Sequence, residues 1–263
     1  MNKVAVVTGG SGGIGRCTAA ALSRAGCRVY EFSRHELPAE GITHIDADMT
    51  DEEQVKSAVD EVLRREGRID ILVNNAGFGI SGAAELTRPE DAHAQLELNL
   101  FGMDRATRAV LPAMRAQGGG RIVCMSSIAA ILPIPFQLWY SVSKAAINAY
   151  VLALQNEVRP FGISVCAVMP GDISSGFTQA RKKSDAGDEA YSGRIERSVA
   201  VMERDERNGM SPETAGAYVA RKALQSNSRP LCALGFSYKC AAMAAKLLPR
   251  RLSNYLVGMI YAR

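Results

Sequence analysis

Between a first apolar run, Lys3 to Val7, and a helical pattern from Ile14 to Ala25 stands Thr8-Gly9-Gly10-Ser11-Gly12-Gly13-Ile14-Gly15, five glycines in eight residues. No other stretch constrains the fold as tightly. Glycine lets the backbone turn sharply and approach another group closely, and a strand that turns at once into a helix leads naturally to a right-handed crossover and a parallel neighbour. Such turns also serve purely structural ends, so the rest of the chain must decide.

The alternation continues to the end of the sequence. Strands are predicted at Arg28 to Phe32, Thr43 to Ala47, Ile69 to Val73, Arg121 to Met125, Ile163 to Met169 and near Pro230 to Leu234. Between them lie helical patterns at Asp51 to Arg65, Pro89 to Arg115, Tyr140 to Arg159 and Pro212 to Leu224; the first carries Val55, Val59 and Val62 on one face behind an acidic first turn. Strands that are nearly all apolar are covered on both faces. The expected fold is therefore α/β: a doubly wound, parallel, seven-stranded sheet of Rossmann type with helices on both faces. A single domain over 1–263 is expected, with a core at 1–235 and a helical extension at 236–263.

With 47% hydrophobic and 22% charged residues, disorder and fibrous repeats are excluded. No apolar run is long enough to span a bilayer, and none at the amino end reads as a signal peptide. Six scattered cysteines without a CxxC, and three histidines, form no metal constellation, and a reducing cytoplasm is the expected compartment. The net charge of +4 is too small to suggest nucleic acid, but it is unevenly spread. Every acid lies at or before Glu213, and the last fifty residues carry eight bases: Arg221, Lys222, Arg229, Lys239, Lys246, Arg250, Arg251 and Arg263.

Tyr140 and Lys144 stand four apart on a predicted helix and so share a face. YxxxK alone arises by chance, and an exposed pair would do nothing. Here it is joined by Ser127 after the fifth strand, Asn74-Asn75-Ala76-Gly77 after the fourth, Asn99, and Pro170-Gly171 after the sixth. In a parallel sheet these fall at or near the carboxyl ends of strands, the rim where such folds bind ligands.

In this set the sequence resembles the short-chain dehydrogenase/reductase family, in its single-domain branch, from about Lys3 to Leu234. TGxxxGxG matches at Thr8 to Gly15 and NNAG at Asn74 to Gly77, and Asn99 is followed by Ser127, thirteen residues before the tyrosine of YxxxK. The resemblance implies Tyr140 as general acid/base, Lys144 holding the nicotinamide ribose and acidifying Tyr140, Ser127 bonding the substrate oxygen, and Asn99 supporting a proton relay. A phenol near pKa 10 needs about 3–4 kcal/mol to titrate near neutrality, and one cation at about 4 Å supplies on the order of 4 kcal/mol at an effective dielectric of 20.

For the cofactor, the resemblance places Gly9, Ser11, Gly13, Ile14 and Gly15 at the pyrophosphate, Asp48 and Met49 at the adenine, and Asn75, Ala76 and Gly77 along the nucleotide. Asp48 could equally cap the helix that follows. Tyr140 and Lys144 lie at the nicotinamide ribose, and Pro170, Gly171, Ile173 and Ser175 form the equivalent of the family's PGxVxT. Ser33 stands where NAD-dependent relatives have an acid, and Arg34 suits a 2′-phosphate. NADP(H) is therefore expected over NAD(H), although Glu31 is close by.

The apolar Ala130 to Trp139 segment, with Phe78 to Ile80, implies a greasy substrate pocket for a ketone or aldehyde such as a steroid, retinoid or acyl-lipid ketone; the alternative is that it merely seals the core. The charged stretch from Thr178 to Gly209 is expected to be a mobile lid. Leu252, Tyr255, Leu256, Met259 and Ile260 repeat at helical spacing beside Arg250 and Arg251, an extension similar to those of steroid 17β-dehydrogenase and retinol dehydrogenase relatives. Packing of this stripe on its own protein or a subunit partner is expected; peripheral contact with an anionic membrane is the competing reading. A homo-oligomer, dimer or tetramer, is also expected. Two other functions stay open: reduction of acyl-carrier-bound ketones, and cofactor sensing without turnover.

Overall fold

The computed structural model describes residues 2–225 and 229–262. Met1, Ser226 to Ser228, and Arg263 of the basic tail lie outside the described residues. The elements in chain order are β1 Val4–Thr8, α1 Gly13–Arg24, β2 Arg28–Ser33, β3 Ile42–Asp46, α2 Glu52–Glu66, β4 Ile71–Asn74, β5 Ile80–Ser81, α3 Pro89–Leu96, α4 Met103–Ala116 and β6 Gly120–Met125. There follow α5 Leu138–Val158, β7 Ile163–Met169, α6 Phe177–Ala180, β8 Lys182–Lys183, α7 Arg194–Arg207, α8 Pro212–Leu224, β9 Leu231–Ala233, α9 Phe236–Leu247 and α10 Arg250–Tyr261.

Seven strands form one parallel sheet in the order β3-β2-β1-β4-β6-β7-β9. The chain winds outward from β1 to β3, returns to the middle and winds the other way, so the order reverses between β1 and β4. That switch opens a crevice at the carboxyl ends of the strands. Apolar side chains of alternate strand residues bury into one of two cores: Val4, Val6, Leu72 and Ile122 against α2, α4 and α5, and Ala5, Val7, Ile71 and Val123 against α1 and α8. Asp51 starts α2 by accepting from the amides of Glu53 and Gln54, each at 3.0 Å, so Asp48 is not the cap.

The long helical pattern from Pro89 is not one α-helix. Residues Glu97–Gly102 wind as a π-helix between α3 and α4, a local widening that often marks a functional residue. The charged stretch expected as a lid carries α6, the two-residue β8, which pairs with β5, and the 14-residue α7. An ion pair from Lys182 to Asp91 joins it to α3, and one from Lys183 to Glu203 joins β8 to α7 within it. Among the described residues, no helix is long and apolar enough to cross a membrane.

Candidate active site

The crevice at the β1/β4 switch is lined by the glycine turn. Gly9 (φ 64°) and Gly13 (φ 49°) occupy the left-handed region, where a side chain costs energy. A Cβ on Gly9 would come within 2.9 Å of Ala76 Cα, and one on Gly15 would run into the Gly9 carbonyl. Asn75 Nδ2 donates to the carbonyls of Thr8 (3.1 Å) and Gly9 (3.0 Å), while Thr8 Oγ1 accepts from the amides of Asn75 and Ala76. These bonds staple β4 to the turn. Ser11 and Ile14 lie in the turn and the first turn of α1, which has neither a capping side chain nor an acid. Around Gly12 a Cβ would meet nothing within 4 Å, and near Gly13 it would meet only Ser175 Cβ, at 3.8 Å. Free amides, the positive helix end and open space fit a pyrophosphate.

At the carboxyl end of β2, Ser33 is buried and its hydroxyl donates to the His35 carbonyl at 3.0 Å. Arg34 has a 67% exposed side chain 3.9 Å from Asp48. Burial works to raise the Asp48 carboxyl, but hydrogen bonds from Thr50 and the Arg34 charge outweigh it and hold the carboxyl below its ordinary value. The Met49 side chain is buried in the core, with its backbone carbonyl against Gly102. Glu31 is also buried, bound through Oε1 to His44 and Ser33 and lying against Gly10.

Deeper in the crevice, Ser127 lies near enough to the phenol of Tyr140 to pull its pKa down. Lys144 stands one helical turn on, its ammonium 5.6 Å from the centre of the Tyr140 ring and donating to the Met125 carbonyl at 2.8 Å. Asn99, buried in the π-turn, accepts from the Phe78 amide at 3.0 Å and donates to the Phe78 carbonyl and Ser143 Oγ. Gly77 keeps the space between: a Cβ there would lie 2.8 Å from Asn99 Oδ1 and 3.8 Å from Lys144 Nζ. The four expected catalytic side chains thus gather at one point.

The titration of both groups is governed by the crevice around them. Burial dominates: it pushes Tyr140 up to about 12, with Ser127 and the Arg181 charge pulling it down and Glu206 and Asp172 adding to the rise. Burial also brings Lys144 down to about 8, against a smaller opposing effect of Cys124.

On the remaining rim the Pro170 carbonyl accepts from the Ile128 amide at 2.9 Å, Gly171 lies beneath the Tyr238 ring, and Ile173 bridges to Met210. Three residues invisible to the sequence reading complete the site. Phe177 on α6 tilts over Tyr140 with ring centroids 5.6 Å apart, and Arg181 stacks behind Phe177 at 5.6 Å. Glu206 on α7 pairs with Arg181 and accepts from Thr178. Only tertiary structure joins them, and no local pattern announces it.

The profile of the short chain dehydrogenase family matches residues 3–186. The 3-ketodihydrosphingosine reductase of Bacteroides thetaiotaomicron is 37% identical over 99% of this chain and 98% of its own length. The 3-oxoacyl-[acyl-carrier-protein] reductase of a Synechocystis strain is 32% identical over 67% of this chain and 76% of its own. A crystal structure of a short-chain dehydrogenase from Streptomyces avermitilis superposes with a TM-score of 0.84 and 31% identity, covering 97% of this chain and 94% of that one. Sequence, sheet order and rim agree, and the chain belongs to the short-chain dehydrogenase/reductase family, oxidoreductases that interconvert carbonyls and alcohols with a nicotinamide dinucleotide.

Proposed function

We propose that the chain is an NADP(H)-dependent reductase of a ketone carried on a long-chain, lipid-like molecule. The observation that carries this reading is the apolar roof over the reacting group: Phe177 lies against Tyr140, and Gly79 beneath it leaves room for the ring. In the sequence, apolar Ile131, Leu132, Ile134 and Phe136 lead into the helix that carries Tyr140. A pocket of that kind gains free energy from alkyl surface and little from polar groups. The relative from Bacteroides, named for a long-chain keto lipid, supports the same class.

When bound, the cofactor supplies the hydride to the carbonyl carbon. Tyr140 gives its proton to the carbonyl oxygen, and Ser127 offers a second hydrogen bond to that oxygen as charge develops on it. A phenol raised to about 12 is protonated at neutral pH, the form that donates. Lys144 faces the ring and stabilises the phenolate left behind. Asn99 fixes Phe78 and holds Ser143, keeping the wall beside Lys144 in place. For NADP(H) over NAD(H), support comes from the exposed Arg34 guanidinium and from the absence of an acid at Ser33, while Glu31 is committed to His44.

The test is turnover of a long-chain 3-ketone, a steroid ketone, a retinal and an acyl-carrier-bound ketone with NADPH and NADH, repeated with Tyr140→Phe. The long-chain ketone with NADPH should give the highest kcat/KM, and the Phe variant should lose about 100- to 10,000-fold. Preference for the carrier-bound ketone would replace the lipid reading; full turnover by the Phe variant would end the Tyr140 assignment.

A further inference from the structure

The C-terminal helices turn their apolar sides outward. In α9, Phe236, Cys240, Met243 and Leu247 recur at intervals of four and three, so they form one stripe, and all are exposed, Phe236 at 83% and Leu247 at 79%. Lys239 and Lys246 run along one edge of that stripe. In α10 Leu252, Tyr255, Leu256 and Ile260 are likewise exposed and Met259 is half-buried, while the one buried residue, Val257, lies to one side of the stripe beside Ile260. Most of the stripe expected to pack on its own body is therefore exposed in the single chain. Contiguous apolar surface rimmed by polar groups marks an interaction site.

Charge narrows the occupant. No carboxylate side chain follows Glu213, whereas Lys239, Lys246, Arg250 and Arg251 are all exposed on this pair of helices. A two-fold contact through the face would set these bases against the same bases of another copy with no acid side chain on either helix pair to answer them. An apolar stripe edged with bases instead matches the boundary of an anionic bilayer, where headgroups meet acyl chains.

The face is also anchored to the active site. On the side of α9 away from the stripe, the ring of Tyr238 fills the space over Gly171, and its hydroxyl donates to Asp172 Oδ2 while accepting from the Asp172 amide at 3.1 Å. Arg194 Nε donates to the Ala262 carbonyl at 2.7 Å and pins α10 to α7. α9 is thus fixed to the loop after β7 that borders the crevice, and α10 to α7.

We propose that α9 and α10 dock the protein on an anionic lipid surface, with Tyr238 holding the docked helices against the Pro170-Gly171-Asp172 loop so that the substrate enters the crevice from the bilayer. The route rests on the lipid-ketone reading; the docking does not.

The test is flotation of the full chain with phosphatidylcholine vesicles and with vesicles that also contain phosphatidylglycerol. Binding should require phosphatidylglycerol, weaken on the order of tenfold or more in Arg250→Glu/Arg251→Glu, and vanish in Leu252→Asp/Leu256→Asp. Both variants should keep turnover of a short, water-soluble ketone. Equal recovery with and without the anionic lipid overturns the proposal, as does light scattering that shows a dimer dissolved by Leu252→Asp/Leu256→Asp, or capture by an acidic acyl-carrier protein in place of vesicles. Loss of short-ketone turnover by the parent chain would strike the catalytic reading and leave the flotation result standing.

Discussion

Arg181 and Glu206 form an ion pair inside the protein, with the arginine side chain only 1% exposed. The pair props the roof of the crevice, because the same guanidinium stacks on Phe177 and Phe177 leans on Tyr140. Removing one partner leaves the other charge buried and unanswered, which costs about 3–5 kcal/mol. Glu206→Gln should therefore lower stability by that order in denaturant melts. The double variant Arg181→Met/Glu206→Leu should recover most of it, since two apolar groups need no partner. An unchanged midpoint in Glu206→Gln would show that the pair is not buried in solution.

Lys144 makes a pH-dependent prediction with a definite sign. Burial holds its ammonium at about 8, below the ordinary 10.5. Between those values the unfolded chain binds the proton and the folded chain does not, so stability rises with pH through that window. Below about pH 8 the folded state carries a charge it would rather lose. The depression corresponds to about 3 kcal/mol. Measured against Lys144→Met, which has no charge to bury, the parent should gain about 3 kcal/mol in unfolding free energy from pH 8 to 10.5. A constant difference would show that the ammonium is solvated.

The sheet was legible in the sequence because its strands are continuous apolar runs, and α8 matched its expected bounds, Pro212–Leu224, because Ser211 and Pro212 open it in the usual way. Ser127, Tyr140 and Lys144 could be placed together because they lie at the carboxyl end of β6 or on α5, whereas Asn99, in the π-turn between α3 and α4, was placed only by the family resemblance. The roof was hidden. In α7 the inward residues Ile195, Ser198 and Met202 are diluted among charges, and Arg181 meets Glu206 only after the chain folds back. For α10 the periodicity revealed a stripe but not its direction, since spacing fixes a face and only packing says which way it points. The balance of burial against charge at Tyr140 is equally a property of the whole crevice.

Gly15 offers a sharp test of the turn. Its missing side chain is replaced by backbone, the Gly9 carbonyl, and by Asn75 Nδ2. Neither can move without opening the staple between β1 and β4. Gly15→Ala should therefore cost about 1–3 kcal/mol in stability, as overpacking does, and should weaken NADPH binding by a larger factor than it changes kcat. Fluorescence titration of bound NADPH checks this; unchanged affinity would remove the turn from the cofactor site.

The proposed preference for NADP(H) rests on two adjacent positions, Ser33 and Arg34, whose roles are separable. Arg34 is exposed and its ion pair with Asp48 spans 3.9 Å, so its loss should leave the melting temperature in place while removing a charge-assisted contact to a 2′-phosphate. Such a contact is worth about 1.5–3 kcal/mol, hence Arg34→Ala should raise the KM for NADPH roughly 10- to 100-fold and leave that for NADH nearly unchanged. Ser33→Asp should go further, because its carboxylate repels the phosphate and offers an acceptor to a 2′-hydroxyl; the same substitution should lower the KM for NADH. Parallel effects on both cofactors in either variant would mean that β2 ends away from the adenosine ribose, and that selectivity is set elsewhere on the rim.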